Sequence, residues 1–350
     1  MKKCVLLRLI FGVAILALPM KALALPVSGN IYFPADASDP TTSAADDGQI
    51  YMTDTSGNVS VVVSSSSIRS ATGREDVRFS DNDLTFDTAG NMYFTESESD
   101  GVLKFDTAGN VTVLATEADI GAITGRSSSS PEGIVFGSDG FLYVSDDTAQ
   151  AVVKIDPSSG NVSLGTSKSG FEALAGISTA DMEAGIDAVD GKIFALSDGS
   201  PDTVFEIDIA TGLPSVLASD IRFDDIEKFM TIAPNGDLII ADEGGLDELF
   251  RVTQSGVTSL FLTNQQIKDV MGRSVIDLEA GLTFDLNGNF YLGEENGDDI
   301  YMWQADSTPG SIIASSGSVF LSDTDIEGAF GLARVDLQAG FTVYDTPAQS

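Results

Sequence analysis

Apolar and polar residues alternate in short runs along most of the chain. LTFDTAGNMYFTE (84–96) is one alternating run, a glycine-containing turn and a second run, the pattern of a β-hairpin. The pattern returns as IVFGSDGFLYVSD (134–146), MTIAPNGDLIIAD (230–242) and LTFDLNGNFYLGE (282–294), and in shortened form as IDAVDGKIFALSD (186–198). A second hairpin follows each copy. Its first strands are predicted at GVLKFD (101–106), AVVKID (151–156), TVFEID (203–208), ELFRVT (248–253) and DIYMWQ (299–304). Its second strands are predicted at NVTVLAT (110–116), NVSLGTS (161–167), LPSVLAS (213–219), GVTSLFL (256–262) and GSIIASS (310–316). The turn glycines Gly90, Gly140, Gly191, Gly236 and Gly288 lie 50, 51, 45 and 52 residues apart. Four short strands in that length make a β-propeller blade.

Five units are complete. GNIYFPA (29–35), QIYMTD (49–54) and NVSVVVS (58–64) match the last three strands of a sixth. EGAFGLARVD (327–336) matches its missing first strand, so the two ends of the chain would share one blade and close the ring. The expected fold is all-β: a six-bladed propeller with four antiparallel strands per blade. A β-sandwich or β-solenoid built from the same hairpins remains the alternative. FTVYDTPAQS, at the end, reads as an extra strand or a tail.

The N-terminus departs from this pattern. A basic start (Lys2, Lys3), an apolar stretch from Leu9 to Leu18 and small residues at Ala22 and Ala24 read as a secretory leader cleaved after Ala24. An uncleaved anchor is the alternative. The expected organisation is a signal peptide over 1–24 and a single propeller domain over 25–350, exported to the periplasm or beyond the cell and free of the membrane after cleavage. A monomer is expected.

Composition narrows the chemistry. The 350 residues carry 53 acidic and 18 basic side chains, no histidine and one cysteine, for a formal charge of −35. Loss of the leader lowers the basic count to 14 and takes the charge to −39. Such acidity argues against nucleic-acid binding, which needs clustered Lys and Arg. The absence of histidine excludes every mechanism that needs an imidazole. Cys4 alone, inside the leader, can form neither a disulfide framework nor a cysteine-rich zinc site.

EGIVFGSDGFLYVSDD (132–147) resembles the blades of NHL-repeat propellers and of the six-bladed group containing gluconolactonase, regucalcin and diisopropyl fluorophosphatase. DMEAG (181–185), DLEAG (277–281) and DIEG (325–328) resemble an element of phytase-like exported propellers. The resemblance spans about 29–340 through generic blade motifs, which specify fold better than activity. In the metal-containing members it implies calcium at the central mouth on Glu, Asp and Asn side chains.

Long connections join each fourth strand to the next blade, at 65–80, 117–131, 168–182, 263–278 and 315–326. They would share one face, where binding sites on rigid scaffolds concentrate. Acids recur there just before each first strand: Asp81 and Asp83, Glu132, Glu183, Glu227, Glu279 and Glu327. Carboxylates ringed around one channel mouth cannot all ionise without a counter-cation, and oxygen ligands suit Ca²⁺ above Mg²⁺. The competing reading is structural, with each acid accepting backbone N–H groups at a strand start. A second set, Asp36, Glu96, Asp146, Asp198, Asp242 and Glu294, ends each second strand, where a carboxylate favours the turn. Three loops share I-x-x-x-(T/M)-G-R, ending at Arg74, Arg126 and Arg273. The glycine predicts a closed helical turn, and the Ile a buried anchor. The arginines are either a clamp on an anionic ligand or partners of nearby carboxylates.

Two main functions fit: a scaffold binding a small molecule or protein on the long-loop face around a central calcium, or a metal-dependent hydrolase of a lactone or phosphoester. In the second, a ring carboxylate such as Glu183 or Glu279 would serve as base. A structural surface protein is the third. The likeness of the blades favours binding or structure over catalysis.

Overall fold

The computed structural model describes residues 27–37, 48–226, 228–245, 247–278, 281–322, 335–336, 340 and 342–343. Its strands form six antiparallel sheets. Blade 2 comprises Leu84–Phe86, Met92–Glu96, Gly101–Phe105 and Val111–Ala115. Blade 3 comprises Pro131–Phe136, Leu142–Asp146, Ala151–Ile155 and Val162–Thr166. Blade 4 comprises Ile186–Val189, Lys192–Ser197, Thr203–Asp208 and Pro214–Ala218. Blade 5 comprises Met230–Ile232, Leu238–Asp242, Glu248–Val252 and Thr258–Leu262. Blade 6 comprises Leu282–Phe284, Phe290–Glu294, Asp299–Trp303 and Ser318–Leu321. Blade 1 takes Ile31–Ala37, Gln49–Thr53 and Val59–Val63 from the start of the chain.

Its inner strand comes from the other end. Val335–Asp336 pairs with Ala37 and Asp36, and Thr342–Val343 pairs with Tyr32 and Ile31. The segment read as an extra strand or tail thus supplies part of the closing strand. First strands of successive blades touch from blade 2 round to blade 6, whose Leu282–Phe284 meets Thr342–Val343. The ring is closed.

Period-two alternation explains the core. Met92 and Phe94 face blade 1, whereas Tyr93, between them, faces blade 3. Second strands are therefore buried on both sides, and Met92–Glu96 is buried at every position. Six apolar clusters fill the six blade interfaces. A register shift recurs in every third–fourth strand pair, after Ile50, Val102, Val152, Val204, Leu249 and Ile300. It leaves one unpaired bulge residue at the same place in each outer strand.

The inter-blade loops carry four helices: α1 (Ser65–Thr72), α2 (Glu117–Thr124), α3 (Lys168–Glu172) and α4 (Asn264–Met271). Ser64, Thr116, Ser167 and Thr263 cap their N-termini by accepting a backbone N–H three residues on. Gly73, Gly125 and Gly272 end α1, α2 and α4 in left-handed conformation, as the shared motif predicts. Ile68, Ile120 and Ile267 are fully buried and seal one end of a blade interface. One expectation is corrected. The outer strand of blade 6 is Ser318–Leu321, not 310–316, which instead contributes a lone bridge from Ile312 to Ala305 and a 3₁₀ turn at Ala314–Ser316. Among the described residues no helix is long and apolar enough to cross a membrane.

Candidate functional site

Much of the acidity is used locally. In the tight turns, an Asp accepts the N–H two residues on and the N–H of a following Asn. Asp54, Asp87, Asp106 and Asp285 do so and also hold the side-chain amides of Asn58, Asn91, Asn110 and Asn289 at 2.7–3.2 Å. These bonds to the ionised form pull Asp54 and Asp106 below the usual carboxylate range, led by the Asn side chains. The Asp-x-x-x-Asn spacing of these turns is legible in the sequence but was not among the patterns singled out above.

Glu96, Asp146, Asp242 and Glu294, which end second strands, are also structural; the side chain of Asp36 lies outside the described residues, and in blade 4 Ser197 rather than Asp198 accepts the equivalent N–H groups of Asp181 and Gly199. Glu96 is fully buried and accepts from Arg78 N (2.9 Å), Glu98 N (3.0 Å) and Ser99 N (2.9 Å). Asp146 accepts from Ser130 N and Ala149 N, and Asp242 from Asp224 N and Gly244 N. Each carboxylate ties the loop arriving from the previous blade to the turn leaving its own strand. In blade 6 a side chain takes over: Arg273 pairs with buried Glu294 at 3.1 Å and Asp299 at 2.9 Å. Its guanidinium fills the space where Gly297 would otherwise carry a Cβ. Arg126 is attracted by Asp146 and Arg74 by Asp100. All three arginines therefore lie beside carboxylates of the blade that follows them, and Arg273 is held there by two ion pairs.

Of the first-strand acids, Asp81, Asp83, Glu132 and Glu183 are described; Glu227, Glu279 and Glu327 lie outside the described residues. Asp83 takes Leu84 N at 2.7 Å and Ile134 N of the next blade, so it stitches blades 2 and 3. Burial, with a smaller push from Asp187, raises it well above the usual carboxylate range. Asp187 plays the same part between blades 4 and 5, accepting Ala188 N at 2.7 Å and Ile232 N at 2.9 Å. Burial lifts it to about 6. Sequence reading overlooked Asp187; its signal is an acid in an otherwise apolar run, IDAV.

Glu132 behaves differently. Its Oε1 receives Ser130 Oγ at 3.3 Å, and its Oε2 is buried without a hydrogen-bond partner. Burial, then Asp81, Glu183 and Asp147, push its carboxyl up to about 9. Asp147 is raised by burial and by Asp181 and Asp81. Carboxylates of blades 2, 3 and 4 therefore share one sector of the mouth. Lys228 reaches Asp81 from blade 5, across the ring, and pairs at 3.2 Å. A second acidic group follows between blades 4 and 5. There burial and neighbouring aspartates lift Asp198 to about 6 and Asp242 to about 7. Oxygen donors with a buried orphan acceptor suit a hard cation. Among the described residues, however, no three acids are arranged to hold one unaided.

No protein-family model matches the chain, and neither does any curated protein. Solved structures do. A chain of the nidogen–laminin complex superposes with a TM-score of 0.61 at 12% identity, over 91% of this chain and all of that one. A streptogramin B lyase superposes with a TM-score of 0.51 at 16% identity, over 82% and 83%. Regucalcin from Agrobacterium tumefaciens, described as calcium-binding, also matches, with a TM-score of 0.44 at 15% identity over 67% and 72%. Identities this low establish the shared propeller fold and leave activity open.

Proposed function

We infer that this protein is an exported binding propeller. Its working surface is the inter-blade-loop face, and its mouth carboxylates take up a divalent cation, Ca²⁺ above Mg²⁺. One observation carries the reading: Glu132 is buried among Asp81, Glu183 and Asp147, with one oxygen orphaned and a proton retained at neutral pH. A calcium ion would replace that proton and offset the repulsion. Asp81, Glu132 and Glu183 are the residues we assign to it, with loop carbonyls and water completing the oxygen shell. Lys228 supplies the competing positive charge. The hydrolytic alternative would need an ionised base at the mouth, the role assigned above to Glu183 or Glu279. Regucalcin's name as a calcium-binding protein agrees with this reading without carrying it.

Calcium added after chelation should raise the melting temperature by mass action, and Lys228→Met should tighten the apparent affinity by removing the resident cation. An unchanged melting temperature in millimolar calcium sinks the cation. N-terminal sequencing of the exported chain should begin at Leu25.

A further inference from the structure

The six outer strands place one residue each at the bulge: Val62, Leu114, Gly165, Leu217, Phe261 and Phe320. In five blades that side chain packs into the core cluster shared with the following blade. Blade 3 has glycine, and no outer-strand side chain seals the cluster between blades 3 and 4. The repeat is broken at that interface.

The missing side chain leaves a hole. A cavity of about 240 Å³ opens beside Gly165, walled by Tyr143, Val152, Leu164, Ile207 and Ile209. Polar groups at the rim are satisfied among themselves: Lys154 pairs with Asp139 at 2.5 Å, and Asp208 accepts from Thr211 N and Oγ1 at 2.8 Å. The open surface is mixed, apolar along Val152, Leu164, Ile207 and Ile209 and polar along the turn at Asp208 to Gly212. An apolar cavity of about 150 Å³ already admits benzene in a protein interior.

We propose that the gap between blades 3 and 4 is a binding pocket for a small molecule bearing an aryl or branched-alkyl group. The ligand's head takes the place that Leu114, Leu217, Phe261 and Phe320 occupy at the sister interfaces. The pocket lies at the tight-turn rim, away from the mouth, and is independent of the calcium reading.

Toluene titrated against methyl-labelled protein tests this. Saturable shifts are expected at Val152, Leu164, Ile207 and Ile209, and not at the five sister interfaces. Gly165→Leu, which restores the residue of the sister blades, should weaken binding at least tenfold. The close approach of the Val152 carbonyl to Gly165 could prevent that variant from folding. Ala210→Phe, which fills the cavity from the opposite wall, then carries the test with the same expected loss. Absence of saturation up to the solubility of toluene overturns the pocket. So do shifts shared by all six interfaces, or binding unchanged in a folded filled variant.

Discussion

Glu132 and Arg273 show opposite fates for charge in this acidic protein. Glu132 holds its proton up to about 9, Asp242 to about 7, and Asp187 and Asp198 to about 6, with burial the main cause throughout. A carboxyl whose folded value lies above its unfolded value, about 4, binds protons more tightly when folded. Its stabilising contribution is complete below pH 4 and is lost as the pH rises toward the folded value. In chelator, the melting temperature should therefore be higher at pH 6 than at pH 8.5. Glu132→Gln should reduce that difference and raise the melting temperature at pH 8.5. Asp54 and Asp106, held below the usual range, act with the opposite sign and only in acid. Arg273 neutralises Glu294, which is fully buried. Arg273→Ala would strand that charge and cost about 3 kcal/mol in denaturant unfolding, whereas Arg273→Lys would restore part of it. The alternation of charge and burial was legible only in part. The spacing marked the positions of Glu132 and Glu294, but which carboxylate would meet an N–H, an arginine or nothing depends on contacts between blades.

Short helices and hairpins followed their local signals closely. In α1, α2 and α4 the shared motif supplied both the glycine terminator and the buried Ile. Helix α3 ends at Ala173 without a glycine and buries Phe171, so the motif could not reveal it. Ile267 sits in the largest apolar cluster, and Ile267→Ala should cost about 2–4 kcal/mol by leaving a cavity under α4. Ile221, fully exposed, should tolerate the same change. The misplaced outer strand of blade 6 has a specific cause. Ile312 and Ile313 supply an adjacent apolar pair, but the strand-type pairing there is a single bridge from Ile312 to Ala305. The true strand, Ser318–Leu321, repeats the bulge of the other blades opposite Ile300 and Tyr301. Register with a partner, invisible to periodicity alone, decides between two such runs.

Ring closure makes the whole molecule one cooperative unit. Blades 1 and 6 share a cluster that includes Phe33, Tyr51, Tyr291 and Leu321. Truncation after residue 334 removes both segments that pair with Ile31–Ala37. Such a chain should lose its single sharp unfolding transition in calorimetry, since blade 1 would keep three strands and an open inner edge. The same placement lets the order of the blades be cut elsewhere. Joining the two ends and opening the chain at the exposed Asp139–Gly140 turn should yield a folded circular permutant. Blade number and closure could be read from spacing because each unit repeats its own turn chemistry. The cavity beside Gly165 could not, because one glycine among 35 signals nothing until five sister side chains show what is missing.

The seam at blade 1 also governs timing. Its closing segments follow every other strand along the chain, so Ile31–Ala37 keeps an unsatisfied edge until they are made. Val335–Asp336 and Thr342–Val343 of a second copy offer the same hydrogen bonds to that edge. At high concentration, refolding should therefore produce strand-exchanged dimers and short polymers that disappear on dilution before refolding. Fusing the closing segment through a linker to residue 27 should suppress them.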